Sequence, residues 1–231
     1  MPPSQLIVAL DVAGTAEALA LVDRLPPEAN WYKIGLELFC AEGPAIVQAV
    51  RARGKNVFLD LKLHDIPRTV ERAVLSAAKS GAGMLTVHAC GGRVMLKAAA
   101  DAARRCPRPP LLVAVTTLTS LDQRDLAELG IARDPQVHVM AMADMALKQG
   151  VNGLVCSPQE VEGLRARFGA RAVLVTPGIR PAGSDPGDQK RVATPLTAVR
   201  AGADFLVVGR PILEAPDPAA AARSILKEIG S

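Results

Sequence analysis

Residues 57–65 read Val-Phe-Leu-Asp-Leu-Lys-Leu-His-Asp. In an extended strand successive side chains take opposite faces, so Asp60 and Lys62 share one face while Val57, Leu59 and Leu61 share the other. Asp65 falls just beyond, on the turn into the next segment. Burying such charges costs several kcal/mol unless they are paired. The pattern fits a salt-bridge network that caps a fold, or a lysine kept protonated between carboxylates and able to deliver a proton. An adjacent carboxylate favours the ammonium form, and desolvation opposes it.

Other polar residues stand where apolar runs end. Asp11 closes the first run, where an aspartate also serves simply to start a turn. Lys33 sits in the second; alone it reads as a solvated charge, and beside Asp60 and Lys62 as a third member of a network. His88 ends the fourth run and reads as a packed or hydrogen-bonded histidine. The fifth run continues into Thr116-Thr-Leu-Thr119-Ser120, the seventh into Pro177-Gly-Ile-Arg180, and the eighth into Gly209-Arg210. Glycine-rich backbone beside a helix start binds anions, and arginine offers a planar fork to phosphate oxygens.

The elements that must hold these groups are legible as alternating patterns. Eight short apolar or β-branched runs read as strands: 6–10, 31–34, 57–61, 84–88, 111–115, 153–156, 172–175 and 205–208. Amphipathic stretches lie between them, among them 16–25, 45–53, 70–80, 160–168 and 219–229. Alternation of this kind predicts a parallel sheet with crossover helices. Eight units in 231 residues predict an α/β fold of the closed (β/α)₈ TIM-barrel type, a single domain over 1–231. A doubly wound open sheet would show Gly-x-Gly-x-x-Gly after its first strand, and Leu10-Asp-Val-Ala-Gly14 is not that fingerprint. In such barrels chemistry gathers at the C-terminal ends of the strands, where these polar residues fall, and phosphate groups often bind after strands seven and eight. The stretch 177–194, rich in Gly, Pro, Asp and Ser, reads as a functional loop.

Composition removes other classes. Hydrophobic residues make up 49% and charged residues 22%, which predicts a soluble globular chain. The net charge of +4 is spread along the sequence; it gives no nucleic-acid footprint but suits a small anionic substrate. No apolar run has the length of a membrane span, and the first residues do not read as a secretory signal, so no membrane role and a cytoplasmic location are expected. The four cysteines (40, 90, 106 and 156) form no CxxC pair and are expected to be inert buried thiols. His64, His88 and His138 are too dispersed for a helical zinc site, so no metal site is expected.

The sequence closely resembles the orotidine 5′-phosphate decarboxylase family. The resemblance runs through Ala9-Leu-Asp11, Tyr32-Lys-Ile-Gly35, Phe58-Leu-Asp-Leu-Lys-Leu-His-Asp-Ile-Pro67 with Thr69, and Thr86-Val-His-Ala89. It continues through Leu118-Thr-Ser120, Val175-Thr-Pro-Gly-Ile-Arg180 with Gln189, and Val207-Val-Gly-Arg210, so it covers essentially the whole chain. It implies conversion of orotidine 5′-monophosphate to UMP and CO₂, the last step of de novo UMP synthesis, with neither metal nor organic cofactor. Lys33, Asp60, Lys62 and Asp65 match the family's charged tetrad. Within it Lys62 matches the general acid that protonates C6, and Asp60 the carboxylate beside the departing CO₂.

Asp11 and Lys33 match ribose contacts. Asp65 and Thr69 match residues that reach the neighbouring subunit's substrate, which implies a homodimer. Ser120, with Thr119 beside it, matches the pyrimidine contact. Gln189 and Arg210 match phosphate ligands, with Pro177, Arg180 and Gly209 in the same motifs, and 177–194 matches a closing lid. Two alternatives share parts of this pattern. Related barrels acting on sugar phosphates carry the Asp-x-Lys-x-x-Asp signature but use magnesium and an acidic residue where Lys33 stands. A silent nucleotide-binding barrel would lack a member of the tetrad.

Overall fold

The computed structural model describes residues 4–181 and 192–230. Eight strands, β1 (Gln5–Ala9), β2 (Trp31–Ile34), β3 (Asn56–Leu63), β4 (Met84–His88), β5 (Leu111–Val115), β6 (Gly153–Val155), β7 (Val173–Thr176) and β8 (Phe205–Val208), close into one barrel in chain order. All neighbours are parallel, including the closing pair in which Ile7 stands opposite Val207. Helices pack outside between successive strands, from Thr15–Arg24 to Pro218–Ile229. None of the described helices is long and apolar enough to cross a membrane.

The strand period of two divides the apolar residues between two layers. Ile7, Ala9, Phe58, Met84, Val113, Val175, Phe205 and Val207 fill the barrel interior. Their neighbours Leu6, Val8, Tyr32, Ile34, Val57, Leu59, Leu85 and Val87 pack outward with the helices. Trp31 and Phe205, at the starts of β2 and β8, meet edge-to-face at 5.5 Å and plug the lower end. The polar strand ends therefore surround the upper mouth.

Four of the eight predicted strands have the bounds read from the sequence, namely 31–34, 84–88, 111–115 and 205–208. The largest difference is β3, which runs two residues beyond Leu61, because its upper end stays extended around an irregularity at Lys62. The cysteine expectation is corrected for two positions: Cys106 and Cys156 are buried, but Cys40 and Cys90 are exposed. Both exposed thiols lie in segments above the strand ends, where Leu38 and Ala89 take the buried positions and the cysteines face outward.

Candidate functional site

β1 and β2 bring the first charged pair together. Lys33 Nζ donates to Asp11 Oδ1 at 2.8 Å, with the lysine side chain largely buried and the aspartate more than half exposed. The chain then turns at Gly35 into the helix Leu36–Glu42. Gly35 lies so close that a Cβ there would stand 3.0 Å from Lys33 Nζ.

β3 supplies the second pair. Phe58 faces the interior, and Asp60, two residues on, points the same way at only 8% exposure. Lys62 Nζ donates to Asp60 Oδ2 at 2.8 Å. Lys62 has φ +50, the only positive φ among the described non-glycine residues. That conformation costs an ordinary residue about 1–2 kcal/mol. Strict alternation therefore breaks at Lys62, where β3 and β4 slip in register between Leu59 and Leu63. The pair survives the break because the lysine chain reaches back to Asp60.

Beyond Lys62 the strand gives way to Ile66-Pro67. Ile66 is extended (φ −58, ψ 150), as a residue before proline prefers, and Pro67 starts the helix Pro67–Lys79. Asp65 sits on this turn and accepts the Ile66 N–H at 2.6 Å. Asp65 and Thr69 are both exposed.

A cavity of about 560 Å³ opens at the mouth, and Asp11, Lys33, Asp60, Lys62, Thr119, Pro177, Arg180, Gly209 and Arg210 line it. Nine of the residues singled out from the sequence thus share one hollow. Asp65, Thr69 and Ser120 do not line it. Gln189 lies outside the described residues, as does most of the expected lid. The two ends of that loop are tied together: Arg180 N–H donates to Ala193 O at 2.9 Å, and Ala193 N–H to Gly178 O at 3.3 Å. Gly178 has φ +77, which a side chain would disfavour.

Sequence reading missed the apolar floor of Ala9, Phe58, Val155 and Val207, and also Glu214. The floor was available from strand parity. Glu214, four residues after Arg210, carried the spacing that returns a side chain to the same face of a helical turn.

At the rim, His88 Nδ1 lies 3.1 Å from Cys90 Sγ, and the His64 and His88 rings are 5.6 Å apart. Burial, then the charges of His64 and Lys62, hold His88 below the usual histidine range. Cys90 is exposed as a residue, but partial desolvation of its sulfur pushes the thiol up, away from thiolate chemistry. A second hollow of about 630 Å³ lies between the outer helices Gly92–Arg104 and Pro135–Lys148 and shares no lining residue with the cavity at the mouth. Its Lys148 is tied to Asp144 at 2.6 Å. Among the described residues no group of three His, Cys, Asp or Glu side chains is arranged to hold a metal ion.

The family model described as "Orotidine 5'-phosphate decarboxylase / HUMPS family" matches residues 4–225. Orotidine 5'-phosphate decarboxylase of Moorella thermoacetica is 52% identical, the match covering 97% of this chain and 92% of that protein. The enzyme of the same name from Anaeromyxobacter sp. strain K is 54% identical over 97% of each. Among solved structures, orotidine 5'-phosphate decarboxylase from Lactobacillus acidophilus superposes with a TM-score of 0.88 at 37% identity, covering 99% of this chain and 100% of that one. With the barrel, the paired charges at its mouth and these full-length similarities in agreement, the chain belongs to the orotidine 5'-phosphate decarboxylase/HUMPS family.

Proposed function

We propose that this chain is a carboxy-lyase that converts orotidine 5′-monophosphate to UMP and CO₂, the closing step of UMP synthesis, in the cytoplasm. The observation that carries this reading is the cavity itself. It joins the Lys62–Asp60 pair on β3 to Arg180 and Arg210 above β7 and β8. A substrate with a phosphate at one end and a carboxylate-bearing ring at the other fits that distribution.

Decarboxylation of such a ring leaves an electron pair on ring carbon. A fixed ammonium where that charge develops stabilises the transition state, because the site makes no reorganisation at the moment of reaction. Lys62 fills that role and then gives its proton to C6. Asp60 holds the ammonium in place and lies beside the departing carboxylate. Enzymes lower barriers by about 8–23 kcal/mol, and one lysine does not supply the upper end of that range. The grip of Arg180, Arg210 and Gln189 on the phosphate contributes binding energy that closes the site and orients the ring. Asp11 and Lys33 hold the ribose, Thr119 and Ser120 the pyrimidine, and Pro177 and Gly209 frame the phosphate end.

Asp65 and Thr69 fit a different arrangement. Both are exposed on the Pro67 turn and stand apart from the cavity of their own subunit. We assign them to the substrate site of a second copy in a homodimer, so that the tetrad is completed across the interface.

The deciding measurement follows orotidine 5′-monophosphate by ultraviolet absorbance, with and without excess EDTA. Conversion to UMP that EDTA does not affect is the expected result. Conversion abolished by EDTA, or turnover of sugar phosphates alone, would move the protein to the magnesium-dependent relatives. UMP binding without any conversion would make it a silent barrel.

A further inference from the structure

We infer that Thr86 is a positioning residue for the charged pair: one buried hydroxyl fixes both the Lys62 backbone and the Asp60 carboxylate. This rests on the decarboxylase reading above. Thr86 lies on β4 and is fully buried. Its Oγ1 accepts the Lys62 backbone N–H at 2.7 Å and donates to Asp60 Oδ1 at 3.0 Å. The other Asp60 oxygen takes Lys62 Nζ at 2.8 Å. Backbone of Lys62, hydroxyl of Thr86, carboxylate of Asp60 and ammonium of Lys62 thus form a closed ring of contacts.

The ladder explains why a side chain is needed here. β3 and β4 pair at Leu59↔Leu85 and resume at Leu63↔Val87. Between those pairs β3 advances four residues and β4 two, so two residues of β3 have no backbone partner across the strand pair. Bulges of this kind re-aim side chains beside active sites. Lys62 falls in the gap with φ +50. The Thr86 hydroxyl stands in for the missing backbone acceptor, holding a conformation that the residue type does not favour. A hydroxyl has one proton. With a lone pair occupied by the Lys62 N–H, that proton is committed to Asp60, which fixes the carboxylate rotamer and hence the direction from which the ammonium is held.

The test compares T86V, which replaces the hydroxyl by a methyl of similar shape, with T86S, which keeps it. Wild type and both variants are assayed for kcat and KM with orotidine 5′-monophosphate, for UMP affinity by calorimetry, and for Tm. A 1 Å misplacement costs about 10²-fold, so T86V is expected to lose about 10²-fold in kcat with KM and UMP affinity within about threefold of wild type. T86S is expected to recover most of kcat. Wild-type kcat in T86V overturns the inference. So does a T86S enzyme as slow as T86V, or a T86V enzyme whose UMP affinity and Tm fall together with kcat, since either makes the residue one of packing alone. If wild type itself does not decarboxylate the nucleotide, the functional reading falls, and a crystal structure of T86V then decides the positioning claim. Lys62 leaving the left-handed region, or Asp60 rotating off its present direction, upholds it; an unchanged pair refutes it.

Discussion

Gly35→Ala probes the other pair without touching a charged residue. Gly35 has φ −91 and ψ −172, backbone open to any L-residue, and it caps the helix Leu36–Glu42 without a side chain. The added Cβ would lie 3.0 Å from Lys33 Nζ and 3.4 Å from Asp11 Oδ1. Comfortable contact begins at about 3.5 Å, so Nζ must retreat by about 0.5 Å. If a 1 Å error costs about 10²-fold, half that displacement costs about tenfold in kcat/KM, or about 1.4 kcal/mol. Stability should barely change. Removing backbone freedom from the unfolded chain contributes about 0.4–1 kcal/mol, and the poorer cap offsets a similar amount. Steady-state ultraviolet assays and calorimetric melting would read both. An unchanged kcat/KM would show that the place of the Lys33 ammonium does not matter to catalysis. A Tm lowered by more than about 8 °C would show that the glycine serves the fold instead.

Lys62→Ala should keep the fold and UMP binding while turnover falls by about 10⁴-fold or more; near-normal turnover would remove Lys62 as the proton donor. Mixing Asp65→Ala with Lys62→Ala subunits should restore some activity, because a heterodimer that shares sites contains one with both residues intact. No recovery, with subunit exchange confirmed, would sink the shared site. His88 and His138 are both held below the usual histidine range, chiefly by burial, His88 next by His64 and Lys62 and His138 next by Arg133. The unfolded chain therefore takes up these protons first as pH falls. Their contribution to stability is complete above about pH 6.5 and is lost below it, so the urea midpoint should drop between pH 7.5 and 5.5, and less so in His88→Asn. An identical drop in that variant would refute the assignment to His88. Gly153→Ala would drive a Cβ into the Val173 carbonyl across the β6–β7 pair. Backbone cannot yield as a flexible side chain does, so a loss of about 1–3 kcal/mol is expected, at about 2–4 °C of Tm for each. A wild-type Tm would show that the short strand has slack.

The barrel was readable because its two signals are strong and independent. Parity along 57–61 separates interior Phe58 from outward Val57 and Leu59, and the eightfold alternation with helical patterns leaves few other folds. The site was readable because a carboxylate and an ammonium two residues apart on an apolar strand have few uses. What escaped was local. The positive φ of Lys62 and the two-residue slip beside it depend on how β3 meets β4, which no single strand encodes. Thr86 looked like an ordinary β-branched strand residue, since its meaning lies in Asp60 and Lys62, 26 and 24 positions away. Cys40 follows apolar Leu38 and Phe39, and Cys90 sits among Ala89, Gly91 and Gly92, so both resemble core in composition but lie exposed beyond the strand ends.

Closure of the barrel bears on the division of labour at its mouth. Because β8 pairs with β1, a Cβ on Gly209 would stand 3.4 Å from Asp11 Oδ2, so the arginine end and the first charged pair are neighbours. The cavity thus follows six consecutive strands, β6-β7-β8-β1-β2-β3, with Thr119 facing it from above β5. Both lysines already hold a carboxylate at 2.8 Å, and each such pair presents little net charge to an approaching anion. Under the proposed function, Arg180 and Arg210 meet the phosphate at one end of the hollow and the Lys62–Asp60 pair meets the reacting ring at the other. This is the physical separation between binding and catalysis that a transition-state-selective site requires, since an interaction equally strong in the ground state would not raise kcat.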